Sequence, residues 1–204
     1  LPDGTTIWLN SDSQIKYPLN FGKRNRTVEL TGEAWFEVTK NQRKPFIIKT
    51  RNLEVKVTGT IFNLRAYSGE PETEATLIEG EIELTMNPGF SENDKKTIKM
   101  NPGESLIFNS NKNDVTYSNF KPDEIVGWKN NQLIFRDDSC ENLVTKIERW
   151  YDVKIICDEP ALKTQRLTVE LYQGEQLERL LDVIELALHV ECKMNGNMIH
   201  IKLI

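Results

Sequence analysis

Val28, Leu30, Ala34, Phe36 and Val38 all fall on even positions, with Glu29, Thr31, Glu33 and Glu37 between them. An alternation of this period marks a strand with one buried face and one wet face. Gly32 stands on the apolar phase, which predicts a bend or bulge inside a continuous pairing. Leu53, Val55 and Val57 then fall on odd positions, and Phe62, Leu64 and Ala66 fall on even ones. A slip of one residue would turn every later side chain to the other face, so one residue has to be absorbed near Gly59. Gly59-Thr60 is therefore expected to be a bulge or corner at which a strand bends, placed to leave one sheet for another.

The same grammar holds from residue 1 to about residue 120. Ile7 and Leu9 alternate with Thr6 and Trp8, and Ile15 and Tyr17 follow. Ala75 and Leu77 are separated from Ile82 and Leu84 by Glu79-Gly80-Glu81. A polar loop, Asn87 to Lys96, precedes Ile98 and Met100, and Asn101-Pro102-Gly103-Glu104 is a turn before Leu106 and Phe108. Val115 and Tyr117 close the series. Gly32, Gly59, Gly80 and Gly103 recur at intervals of two strands, which fits a β-sandwich, jelly roll or wound β-roll.

Asn119-Phe120-Lys121-Pro122-Asp123-Glu124 is a domain edge, and the period changes after it. Gln132 to Phe135 is a short strand, and Ser139 is an N-cap candidate. Cys140, Leu143, Val144, Ile147, Trp150 and Tyr151 then lie on one helical stripe. Val153, Ile155 and Ile156 form a strand closed by Asp158-Glu159-Pro160, and Leu167, Val169 and Leu171 form the next. Gly174 to Ala187 is a second helix, with Leu177, Leu180, Leu181, Ile184, Ala187 and Leu188 apolar. Val190 and Cys192 lead to an Asn195-Gly196 hairpin turn and a last strand, Met198 to Leu203. The expected architecture is an all-β sandwich or jelly-roll-like domain, 1–123, followed by a small α+β domain, 124–204. The second domain has the order β-α-β-β-α-β-β, with both helices on one face of a small mixed sheet.

Little in the chain points to catalysis. His189 and His200 are the two histidines, at a helix end and on the wet face of a strand. Residues 1–120 have none, which excludes a cupin-type metal site there, and no cofactor site is expected. Glu33/Glu37, Glu79/Glu81 and Glu81/Glu83 alternate with apolar residues, so they read as a solvated strand face and not as a glycosidase pair. No phosphate-binding glycine loop occurs. The net charge of −5 argues against a nucleic-acid partner. No run has the roughly 18 apolar residues that a membrane span needs. The opening turn Leu1-Pro2-Asp3-Gly4-Thr5 reads as a cut within a longer precursor. Cys140, Cys157 and Cys192 lack zinc-type spacing. Buried thiols are the simpler reading, and a Cys157–Cys192 bridge stays open. Trp8 and Trp35 fall off the apolar phase, so both are expected to be exposed, where they could stack on a sugar. Trp35→Ala is then expected to cost much less stability than Phe36→Ala.

Several strings, taken together and in order, resemble the FecR family of anti-sigma regulators. They are Leu1-Pro2-Asp3-Gly4-Thr5-Thr6-Ile7-Trp8-Leu9-Asn10, Gly32-Glu33-Ala34-Trp35-Phe36-Glu37-Val38, Pro45-Phe46-Ile47-Ile48 and Val57-Thr58-Gly59-Thr60-Ile61-Phe62-Asn63-Leu64. Glu79-Gly80-Glu81-Ile82 and Asn101-Pro102-Gly103-Glu104 add to them. The part from Trp128 through Ile147-Glu148-Arg149-Trp150-Tyr151-Asp152-Val153 to Leu203 resembles the C-terminal domain of the Bacteroidetes branch. That domain is itself similar to the short N-terminal module of secretins and TonB-dependent receptors. The resemblance implies the periplasmic sensor portion of a single-pass inner-membrane protein, with no catalytic residues. It implies a signal from the signalling domain of a TonB-dependent outer-membrane receptor. It further implies an extracytoplasmic-function sigma factor held by a cytoplasmic part that, like the membrane helix, lies outside this chain. The last strand, Met198, Ile199, His200, Ile201, Lys202 and Leu203, follows a hairpin, so it is expected to offer a free edge for strand addition by the receptor. His200 and Lys202 would guard that edge in the unbound state.

Overall fold

From residue 53 to residue 109 the chain changes sheets before each pair of consecutive strands, and a glycine stands at each change. The computed structural model describes residues 1–23, 25–86, 96–118, 125–157, 159–163, 165–172 and 176–204. The predicted polar loop, Asn87 to Lys96, lies outside the described residues except for Lys96, and the predicted domain edge at 119–124 lies outside them altogether. The chain divides into two units, Leu1–Ile125 and Val126–Ile204.

In the first unit the long strand β3 (Arg26–Glu37) is shared by two sheets. Residues 26–31 pair with β2 (Gln14–Lys16) on one side and, in parallel, with β4 (Phe46–Lys49) on the other. Residues 32–37 pair with β1 (Thr6–Leu9) and β6 (Ile61–Ala66) instead. The exchange of partners falls at Gly32. Beyond β4, one sheet continues through β5 (Leu53–Val57), β8 (Ile82–Met86) and β9 (Thr97–Met100). Beyond β6, the other continues through β7 (Glu72–Glu79), β10 (Ser105–Asn109) and β11 (Asp114–Ser118). The chain crosses between them after β5, β7 and β9, at Gly59, Gly80 and Gly103. The sandwich-like all-β fold and the corner at Gly59 thus stand as expected.

Geometry requires glycine at the first of these crossings. Gly59 has φ +151, and a Cβ there would lie 2.7 Å from the Lys40 Cα. We expect Gly59→Ala to cost about 2 kcal/mol or more, because a non-glycine residue is strained there and the obstructing atom is backbone. Thermal unfolding is the check. Gly103 also has a positive φ, +89, but has open space where a Cβ would go. Gly103→Ala should therefore lose less, and equal losses would refute the packing argument.

Between the two sheets lies a core of side chains from even-phase β3 and its neighbours. Phe36, Phe46, Phe62, Ile48, Leu53, Leu64, Leu77 and Leu84 are fully buried. Phe36 stacks on Phe62 with centroids 4.9 Å apart and meets Phe46 edge-on at 6.3 Å. Burial of this kind, at about 1.5–3 kcal/mol per large side chain, is what holds the layers together.

The second unit differs in one respect from the expected small mixed sheet: its strands form two sheets. β12 (Leu133–Ser139) pairs antiparallel with β14 (Arg166–Leu171). The other sheet has the order β13-β16-β15, formed by Lys154–Cys157, Met198–Leu203 and Val190–Asn195. Helix α1 (Cys140–Tyr151) touches β12 and β14 of one sheet and β13 of the other. A one-turn α2 (Pro160–Lys163) follows β13, and α3 (Leu177–Leu188) lies against β15. The sheet divides because each helix has an apolar stripe to bury and α1 contributes to both layers at once. Ser139 caps α1 as predicted, its Oγ accepting the Asn142 N–H at 3.3 Å. The predicted start of the second helix at Gly174 lies outside the described residues. Ala187, expected on the buried stripe, is exposed.

Candidate functional site

The predicted free edge of Met198–Leu203 does not exist. β16 is the central strand of its sheet, parallel to β13 on one side and antiparallel to β15 on the other. A strand paired on both sides has no unpaired backbone to offer, so strand addition cannot occur there. The Asn195-Gly196 hairpin was sound evidence for β15–β16 pairing, but sequence order could not show that β13 returns to the opposite side. Ile199 and Ile201 face the core, His200 is half-buried on the outer face, and Met198, Lys202 and Leu203 are exposed. His200 and Lys202 line a shallow 120 Å³ groove with Glu191, Lys193 and Asn195.

The open edges of this sheet belong to β13 and β15, and each is occupied by a glutamate from the preceding helix. The Ile155 N–H donates to Glu148 Oε1 at 2.8 Å, and the Cys192 N–H donates to Glu185 Oε1 at 2.6 Å. Both N–H groups point away from the central strand. Lys154, one residue before Ile155, bonds inward to the Asn197 carbonyl at 2.8 Å. On the other side, the Ile204 N–H reaches the His189 carbonyl at 3.3 Å, which fixes odd residues of β15 inward and even residues outward. An edge N–H left bare invites another chain to pair with it, and a carboxylate acceptor suppresses that.

The two capped edges are copies of one device. Leu143, Ile147, Glu148 and Val153 recur as Leu180, Ile184, Glu185 and Val190, each 37 residues later. Both helices end in a left-handed residue, Asp152 at φ 53 and His189 at φ 55. The unit is thus a doubled β-α-β, β12-α1-β13 and β14-α3-β15, with β16 inserted between the two last strands. The sequence carried this signal in the two Ile-Glu pairs, but helical periodicity alone gives no reason to single them out.

The three thiols are free. Cys157 and Cys192 both stand opposite Ile201, one on each side of it. Two strand spacings, about 9–10 Å, separate them. That exceeds the ~7 Å Cα limit for a disulfide, so they are not bridged. Burial, reinforced by Glu185 and Cys157, pushes the Cys192 thiol up to about 11. Burial, with Cys157 nearby, also raises Cys140.

Contrary to expectation, neither tryptophan is exposed. Trp8 and Trp35 are cross-strand neighbours, and Trp8 is half-buried. Trp35 is not exposed: it is 5% accessible, and its Nε1 donates to Glu37 Oε1 at 3.0 Å. Its row continues through Asn63, Thr76 and Ser105, which are also buried. Alternation tells which face a side chain is on, but not whether that face is covered. Glutamates read from the sequence as a solvated strand face are engaged structurally. Glu33 accepts from the Asn10 and Asn63 amides at 2.8 Å each, and Lys56 reaches Glu83 at 3.1 Å. Arg65 pairs with Glu70, and although burial pulls its pKa down, Glu70, Glu33 and Glu74 outweigh this and raise it. Among the described residues no group of three or more His, Cys, Asp or Glu could hold a metal ion.

Comparison with known proteins covers both units. The model of the FecR protein family matches residues 1–83, and that of the FecR C-terminal domain matches residues 132–201. No curated protein sequence matches. Two crystal structures of a candidate anti-sigma factor from Parabacteroides distasonis ATCC 8503, at 1.65 and 2.50 Å resolution, superpose with TM-scores of 0.86 and 0.85. In both, sequence identity is 26% over 100% of this chain and 92% of the other. With a family match in each unit, in the right order, and a structural match that spans the whole chain, this protein belongs to the FecR family of anti-sigma factors, a regulatory and non-enzymatic kind of protein.

Proposed function

We propose that this chain is the periplasmic sensor portion of a membrane-anchored anti-sigma factor. In this reading it receives a signal from a TonB-dependent outer-membrane transducer and so regulates an extracytoplasmic-function sigma factor. The observation that carries the proposal is the family match in both units, the second falling on the doubled β-α-β module. No helix among the described residues is long and apolar enough to cross a membrane. The membrane helix and the sigma-binding part are therefore assigned to other segments of the protein.

The module suits a receiver. Its sheet has two strand edges whose capping groups are side chains, which can swing aside without unfolding anything. The alternative of a sugar-binding face on Trp8 and Trp35 loses its motivation with the burial of Trp35. The test is a titration of this chain with the signalling domain of the receptor encoded beside it, followed by calorimetry. Saturable binding at micromolar concentrations is expected. No binding at tens of micromolar would overturn the proposal.

A further inference from the structure

The outer edge of β15, which Glu185 caps, is complementary to itself when two copies pair antiparallel. We propose that this strand is a self-association site, where a second copy of the chain docks antiparallel about a two-fold axis at Cys192. β15 begins Val190, Glu191, Cys192, Lys193 and Met194, and ends at Asn195. Antiparallel self-pairing centred on Cys192 sets Val190 against Met194 of the second copy and Glu191 against Lys193 of the second copy. The two-fold axis repeats both contacts. Each pair is complementary: apolar against apolar on the inner face, and opposite charges on the outer face.

The backbone fits the same register. Even residues of β15 point their N–H and C=O groups outward, as the Cys192 N–H shows by reaching Glu185. A two-fold axis on an outward-pointing residue makes the central pair a hydrogen-bonded one. Cys192 would then exchange both its bonds with Cys192 of the second copy, and Met194 would exchange with Val190. The three-stranded sheet becomes six strands, with no reversal of any existing pair. Glu191, Lys193, Met194 and Asn195 are all exposed, so the edge is capped at Cys192 by Glu185 and is otherwise open to solvent at these side chains. β13 lacks this symmetry: its four residues, Lys154–Cys157, carry one charge and so have no opposite charge to meet.

Glu185 sets the threshold. Its carboxylate holds the one N–H that the two-fold axis needs. Docking requires that it leave. The closed state is a latched monomer, and the open state is the dimer. Self-association is separate from receptor binding, and either could hold without the other.

Sedimentation equilibrium of the whole chain is the test, with three kinds of variant. Glu185→Ala removes the latch and should strengthen dimerisation about tenfold or more, as expected for loss of a competing charged hydrogen bond. Lys193→Glu sets carboxylates against each other and should weaken dimerisation several-fold. Adding Glu191→Lys to Lys193→Glu reverses both charges, restores complementarity and should restore the wild-type constant. Both residues are exposed, so these changes leave folding intact even if Glu185→Ala does not. With Cys140 and Cys157 replaced by alanine, mild oxidation should link two copies through Cys192, since about 5.5 Å between Cα atoms suits a disulfide. Four results would overturn the proposal. They are a monomer at millimolar concentration in wild type, the same in Glu185→Ala, no rescue by the charge swap, or no cross-link at Cys192.

Discussion

Phe36→Ala is expected to lower the unfolding free energy by about 3–5 kcal/mol, measured by chemical denaturation. The side chain is fully buried, stacked on Phe62 and edge-on to Phe46. Removing it opens a void where the two sheets meet, at a position held by partners on both sides of β3. Surrounding strands cannot collapse into that void, because their registers are fixed by the pairings to β1 and β6. A domain is stable by only ~5–15 kcal/mol, so the loss is a large share of the whole. Trp35→Ala makes the informative comparison. The alternation of β3 puts Trp35 on the face away from this core, and on that ground alone its loss would be slight. With its ring buried and its indole N–H bound to Glu37, the loss should instead be of the same order as at Phe36. A loss below about 1 kcal/mol at Phe36 would refute the assignment of the core.

Arg26→Met is expected to be as damaging, again by about 3–5 kcal/mol, for an electrostatic reason. Arg26 opens β3 and is 2% exposed. Its Nε donates to the Lys44 carbonyl at 2.8 Å, and its terminal nitrogens reach the Thr39 and Asn41 carbonyls at 2.8 and 3.4 Å. The same guanidinium binds Asp3 at 3.1 Å and lies over the Phe46 ring at 5.7 Å. Methionine fills much of the volume but leaves a carboxylate and three carbonyls without their donor.

Asp3 makes the effect depend on pH. Burial pushes its carboxyl up, but the Thr5 N–H, the Thr5 hydroxyl and Arg26 together outweigh burial and hold it below its ordinary 3.8. A carboxylate depressed in the folded state stabilises above its unfolded pKa, and that contribution disappears as pH falls through the folded value. The stability difference between wild type and Asp3→Asn should thus be constant from about pH 5 to 7 and shrink below about pH 4. A difference unchanged at low pH would show that Asp3 is not titrating against Arg26.

The β3 alternation and its phase break disclosed most of the first unit, because a strand with one face in a core must keep period two. The corner at Gly59 was legible for the same reason: a break in phase without a break in pairing leaves few solutions. Arg26 was not legible. Its even position marks the inner face, but an arginine there gives no hint that three carbonyls from residues 39–44 converge on it. In the second unit the helices were legible from their stripes, and their capped strands were not. Which strand becomes central depends on long-range pairing, and β13 and β15 have the same local pattern as any half-buried strand. Glu148 and Glu185 gain their meaning only when each carboxylate is seen to meet an outward N–H seven residues on.

The alternating passage of the chain between sheets makes the first unit a structure laid in courses. After β3, each two-strand course rests on the previous course of its own sheet, β8 on β5 and β10 on β7. No later course is needed to hold an earlier one in register, whereas β3 carries four partners at once. A chain built this way can be lengthened or shortened by whole courses at its far end while β3 and its neighbours stay as they are. Differences in length between such sensors are then expected to come in increments of one crossing glycine and two strands, added beyond β11.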